Sequence, residues 1–184
     1  LTNGFPRQAG TEIEIAGIRT NFRMPDVYSI GVGGGSIVGE EATNHQVGPD
    51  SVGYRLLTQA RIFGGSVLTA SDVMVASGRT DFGDRSLVGG VPESIINAAL
   101  ASIDSQISDA VDRMRTSPEP VPVVAVGGGT FMFPKTMEGA SEVVHPEHAG
   151  VANAIGAAIA QVGGEIDRIV PVPAGQRDTV LDKA

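Results

Sequence analysis

Two stretches of the chain end in the same way. Ile30-Gly31-Val32-Gly33-Gly34-Gly35-Ser36-Ile37 and Val123-Val124-Ala125-Val126-Gly127-Gly128-Gly129-Thr130 each lead a β-branched run into three glycines and a hydroxyl residue. Consecutive glycines leave no Cβ between backbone amides and a ligand, and they admit positive φ angles that curl N–H groups around an anion. Ser36 and Thr130 can add a hydroxyl donor or cap the element that follows. The chemistry this repeat points to is a clamp for the phosphates of a nucleotide. Its binding groups would be Gly33, Gly34, Gly35 and Ser36 on one side and Gly127, Gly128, Gly129 and Thr130 on the other.

Few other residues offer chemistry. There is no cysteine, so disulfides, thiolate metal ligands and thiol nucleophiles are excluded. His145 and His148 are three apart, a spacing one helix face could offer a metal, but Pro146 between them argues for surface histidines. His45 lies in a polar stretch, and no Ser-His-acid set can be argued from spacing. Asp26, just before the first β-branched run, reads as a turn or cap acid preceding a strand. Asp72 follows Thr69 and Ser71, the pattern of a helix start. Asp104, Asp109 and Asp112 read as a solvated helix face.

The composition bounds the partners. A formal net charge of −8 with scattered Lys and Arg argues against nucleic acid and anionic membranes, both of which reward clustered basic residues. No apolar run approaches eighteen residues, so no membrane span is expected, and the absence of cysteine fits the cytoplasm. At 184 residues and 41% hydrophobic content the chain is long enough for one α/β domain spanning residues 1–184. Its start at Leu1 rather than Met predicts a piece of a longer polypeptide.

Elements must position the two glycine runs. Glu12 to Ile18 alternates polar and apolar and predicts a strand. Val27–Val32 and Ser36–Gly39 predict a hairpin turning at Gly33–Gly35, followed by a turn-rich loop over 46–65. Thr69 to Ala76 predicts a capped short helix stopped by Gly78. Ile96, Leu100, Ile103, Ile107, Val111 and Met114 trace one helical stripe between Pro92 and Arg115. Val121–Val126 is apolar throughout and predicts a strand covered on both faces. A second helix is expected from Pro146 to Gly163, and a last strand over Ile166–Val172.

In order along the chain, four segments resemble the ATP-binding subunit of the hydantoinase/oxoprolinase family, in its C-terminal half. They are Asp26-Val27-Tyr28-Ser29-Ile30-Gly31-Val32-Gly33-Gly34-Gly35-Ser36-Ile37, Val47-Gly48-Pro49-Asp50-Ser51-Val52-Gly53, Leu68-Thr69-Ala70-Ser71-Asp72 and Gly150-Val151-Ala152-Asn153-Ala154-Ile155-Gly156-Ala157. The resemblance implies one half of a two-lobed actin-like ATPase, a ribonuclease-H-like mixed sheet flanked by helices. It further implies ATP and Mg2+ as cofactors, with Gly33–Ser36 at the phosphates, Gly127–Gly129 beside the adenosine and Asp26 as catalytic and metal-orienting acid. The implied activity is ATP-dependent opening of a small cyclic amide, or activation of a ketone for carboxylation. An ATP-driven reactivating factor or chaperone of the same fold is the alternative. The implied partner is the N-terminal half or a sister subunit, with further oligomerisation possible. The chain alone is expected to bind nucleotide weakly and not to turn over substrate. Two departures stand out: Gly31 occupies the place where chaperone-like members carry an acid, and Tyr54–Gly64 lacks the family's proline- and cysteine-containing stretch.

Overall fold

A computed structural model of the chain describes residues 6–9, 13–15, 18–20, 25–39, 46–160, 171, 175, 177 and 178. It divides into two compact units, Leu1–Asn153 and Ala154–Ala184. Strands β1 (Ile13–Ile15) and β2 (Ile18–Thr20) pair antiparallel, with Ile13 opposite Thr20 and Ile15 opposite Ile18. The single strand expected over residues 12–18 is therefore two. An alternating pattern serves both arms of a hairpin equally, so it does not mark where the chain reverses.

The hairpin expected around the first glycine run is replaced by a different pairing. Residues 27–32 form no regular strand, and β3 (Ser36–Val38) pairs antiparallel with β4 (Val47–Ser51), inside the stretch expected to be loop. Gly48-Pro49 hid this strand from the sequence. Proline lacks the donor a central strand needs, but among the described residues the two-stranded ladder leaves β4 an open edge. Gly48 has φ +70°, and a Cβ there would lie 2.1 Å from the Gly31 carbonyl oxygen. A Cβ on Gly31 would in turn lie 2.7 Å from Pro49 Cβ. Backbone meets backbone at this point, which leaves no room for an acidic side chain at position 31. Gly48→Ala is expected to destabilise the chain by about 2 kcal/mol or more, the sum of left-handed strain and overlap. Thermal unfolding checks it, with a fall of about 4 to 8 °C expected for a chain of this size.

A helical segment follows, with α1 (Leu56–Gln59) flanked by single 3-10 turns at Gly53–Arg55 and Arg61–Phe63. Helix α2 (Ala70–Ala76) is the capped helix that Thr69 and Asp72 announced. The Asp72 carboxylate accepts from the Thr69 amide and hydroxyl and from the Ile62 amide, each at 2.7 Å. Gly78, at φ +79°, ends it as expected. Helix α3 runs Glu93–Met114 behind Pro92, and its stripe buries Ala99, Ile103 and Ile107. These residues join Val73, Met74 and Val75 of α2, Val38 and Val47 of the β3/β4 ladder, and Ile62, Leu68 and Val88 in one core. Asp104 is not merely solvated: both its oxygens accept from Arg79, at 2.7 and 2.6 Å, tying the loop after α2 to α3. The same bonds hold the Arg79 guanidinium pKa above its ordinary value.

Strands β5 (Val121–Val124) and β6 (Ala140–Val144) pair in parallel. The expected strand covered on both faces is corrected here, because Pro122 and Val124 are exposed while Val121 and Val123 are half-buried. Among the described residues the sheet content is three separate two-stranded ladders, two antiparallel and one parallel, instead of one mixed sheet. The α/β character stands. Helix α4 (Ala152–Ile159) begins later than expected, after His148 in the left-handed region and a 3-10 turn at Ala149–Val151, and it buries no side chain. The expected stop at Gly163-Gly164 and the strand over 166–172 fall on positions outside the described residues, save residue 171. No helix among the described residues is long and apolar enough to cross a membrane.

Candidate functional site

The first glycine run is a tight turn closed from within. The Ser36 amide donates to the Gly33 carbonyl at 2.9 Å, and the Ser36 hydroxyl accepts from the Gly33 amide at 2.9 Å while donating to the Gly31 carbonyl at 3.3 Å. Ser36 is buried, and its hydroxyl is spent on holding the turn. The Gly34 and Gly35 carbonyls are taken by the amides of Ser71 and Val52, at 3.0 and 2.9 Å. The amides of Gly34 and Gly35 donate to no group among the described residues.

At Gly34 and Gly35 glycine is required for space and not for handedness. None of Gly33, Gly34 and Gly35 has a positive φ. A Cβ on Gly34 would stand 2.9 Å from Ser71 Oγ and 3.2 Å from Phe131 Cζ, and one on Gly35 would stand 2.9 Å from Ser51 Oγ. The second run differs. Gly127 has φ +92°, its amide donates to the Ala149 carbonyl at 2.8 Å, and the Gly129 carbonyl accepts from Met132 at 3.0 Å. The amides of Gly128 and Gly129 are, like those of Gly34 and Gly35, unused among the described residues.

The fold brings the two turns together. Gly33–Gly35 and Gly128–Gly129 line one open cleft of about 620 Å³. Its walls are otherwise apolar, from Val32, Leu56, Phe82, Phe131 and Met132, with Phe131 set edge-on to Phe82 at 5.3 Å between ring centroids. Ser71 supplies the one polar side chain among the lining residues. Its hydroxyl is fully buried and has no hydrogen-bond partner among the described residues.

Four other expected site residues, Ser36, Gly127, Thr130 and Asp26, are not among the residues lining the cleft. Thr130 opens the 3-10 turn Thr130–Met132 and is not among the lining residues. Asp26 does not line the cleft either. Its carboxylate is engaged by Arg7, whose Nε donates to Oδ2 at 2.7 Å and whose Nη2 reaches the same oxygen, and its amide donates to the Arg7 carbonyl at 2.6 Å. Among the described residues no three His, Cys, Asp or Glu side chains gather to hold a metal. His145 and His148 are exposed.

Sequence reasoning passed over Ser71, Leu56, Phe82, Phe131 and Met132. Phe131 and Met132 directly follow the second glycine run, and that adjacency was the available signal. Ser71 sits in the cap motif of α2, where a structural role absorbed it. Nothing local distinguishes Leu56 or Phe82, which reach the cleft through tertiary packing.

Comparison with known proteins places one of the two turns. Residues 6–84 match the family described as Hydantoinase/oxoprolinase, a stretch that contains the Gly33–Gly35 turn, the β3/β4 ladder and Ser71. The Gly127–Gly129 turn falls beyond it. No curated protein and no solved structure matches the chain. Residues 6–84 thus carry the sequence pattern of the hydantoinase/oxoprolinase family, and the match over that stretch supports this family for the chain.

Proposed function

We propose that the chain is the nucleotide-binding part of an ATP-dependent enzyme of hydantoinase/oxoprolinase type. One observation carries this reading: two glycine turns far apart in sequence border a single cleft with four backbone amides, on Gly34, Gly35, Gly128 and Gly129, that no described residue uses. Unspent amides at a glycine turn are what phosphate oxygens require. The apolar walls suit a flat ring, against which Phe131 and Met132 offer dispersion contact and exclude water. The family match over residues 6–84 supports an amide-opening activity of hydrolase type.

ATP would supply its terminal phosphoryl group to the amide oxygen as ADP leaves, making the amide carbon electrophilic enough for water to add and the C–N bond to break. The chain's own part is positioning: fixed backbone dipoles of the two glycine turns hold the phosphate oxygens in place. Mg2+ does not find a home among these residues. No carboxylate lines the cleft and Asp26 is engaged by Arg7, so we derive no step through a metal and assign Asp26 no proton transfer. The acid–base groups and the amide site belong in this reading to a partnering half or subunit.

The test is calorimetric titration of the chain with ATP, alone and with Mg2+, alongside amide NMR. Saturable binding with resonance shifts at Gly34, Gly35, Gly128 and Gly129 is expected. Absence of binding, or shifts confined to other surfaces, would overturn the reading.

A further inference from the structure

Ser71 remains unexplained by the fold. Its amide is fixed to the Gly34 carbonyl at 3.0 Å, its hydroxyl oxygen lies 2.9 Å from where a Cβ on Gly34 would stand, and that hydroxyl is buried without a partner. Buried hydroxyls are almost always hydrogen-bonded, because leaving one unpaired forfeits its hydration without return. The neighbouring polar groups of α2 are all satisfied: Thr69 and Asp72 bond each other, and Asp72 also takes the Ile62 amide. Among the residues lining the cleft, Ser71 alone combines a hydroxyl side chain with contact to the glycine turn.

We infer that Ser71 is a ligand-binding residue, whose hydroxyl donates to an anionic oxygen of the molecule held at the Gly33–Gly35 turn. The inference rests on the nucleotide reading above and deepens it, by assigning the phosphoryl end of the ligand to the Ser71 side of the cleft. Rotation about χ1 carries the hydroxyl between staggered positions without moving the backbone, which the Gly34 carbonyl already pins. A hydroxyl adds a directional donor where no Lys or Arg is among the lining residues. The apolar remainder of the cleft takes the other end of the ligand, so the class of molecule is a phosphorylated one with a flat apolar ring.

Ser71→Ala separates the possibilities, measured on the 184-residue chain with three probes: ATP, inorganic tripolyphosphate and adenosine. The variant is expected to bind ATP and tripolyphosphate about tenfold more weakly than wild type, the effect of one hydrogen bond to a charged oxygen, and adenosine equally well. Its melting temperature without ligand is expected to equal or exceed that of wild type. Unchanged affinity for ATP and tripolyphosphate would overturn the assignment while leaving the nucleotide reading intact. A lower unliganded melting temperature with unchanged affinity would do the same, by revealing a structural partner such as an ordered water. If wild type takes up none of the three probes, the nucleotide reading itself fails and the Ser71 assignment falls with it.

Discussion

Gly34→Val is expected to weaken ATP binding about a hundredfold or more, the value of two hydrogen bonds from backbone to charged oxygens. The first γ-branch adds bulk to a Cβ that already stands 2.9 Å from Ser71 Oγ and 3.2 Å from Phe131 Cζ. Either the valine fills the cleft at Gly34, or Phe131 is driven off Phe82 and the wall is lost. Both outcomes remove the site. Because the crowding atoms are side chains, the fold can adjust, and the melting temperature should fall much less than affinity does. Gly90→Ala is the control, since its added methyl meets nothing and its φ is not positive. Calorimetry on wild type and both variants decides; full ATP affinity in Gly34→Val would mean that the ligand, if any, binds elsewhere.

The second large effect concerns stability. Asp72→Ala is expected to cost about 3 kcal/mol or more, because three buried donors lose a charged acceptor and the α2 cap is broken. The carboxylate joins two segments ten residues apart in sequence, the Arg61–Phe63 turn through the Ile62 amide and the helix start through Thr69. For a chain of this size the loss corresponds to a fall of about 10 °C in melting temperature. Asp72→Asn keeps an acceptor oxygen but turns an NH2 toward a donor, so an intermediate loss is expected. Thr69→Ala, which removes only the cap hydroxyl, should cost about 1 kcal/mol. A drop for Asp72→Ala no larger than that of Thr69→Ala would show that the Ile62 bond contributes nothing.

Local signals read well wherever the determining contacts are close in sequence. The cap of α2 was legible because Thr69 and Asp72 satisfy each other across three residues, and α3 because its stripe repeats at helical spacing over 22 residues. The β3/β4 ladder was illegible, because Gly48-Pro49 looks like a loop and only the pairing partner across the gap makes it a strand. Likewise β6 was missed, since parallel pairing with β5 depends on a connection whose path the residues of β6 do not encode.

The two glycine runs show where the boundary lies. Their type and spacing alone established that each could present bare amides, and the ordered segments around the first pointed to the family later matched over residues 6–84. Which amides stay unspent, that Ser36 is consumed within its own turn, and that Asp26 is engaged by Arg7 were decided by tertiary contacts. So was the meeting of residues 33–35 with residues 128–129 around one cleft, and the placing of a partnerless Ser71 hydroxyl beside it. The reason is physical: a backbone turn is specified by the residues that form it, whereas a pocket is specified by which surfaces the whole hydrophobic core leaves facing one another.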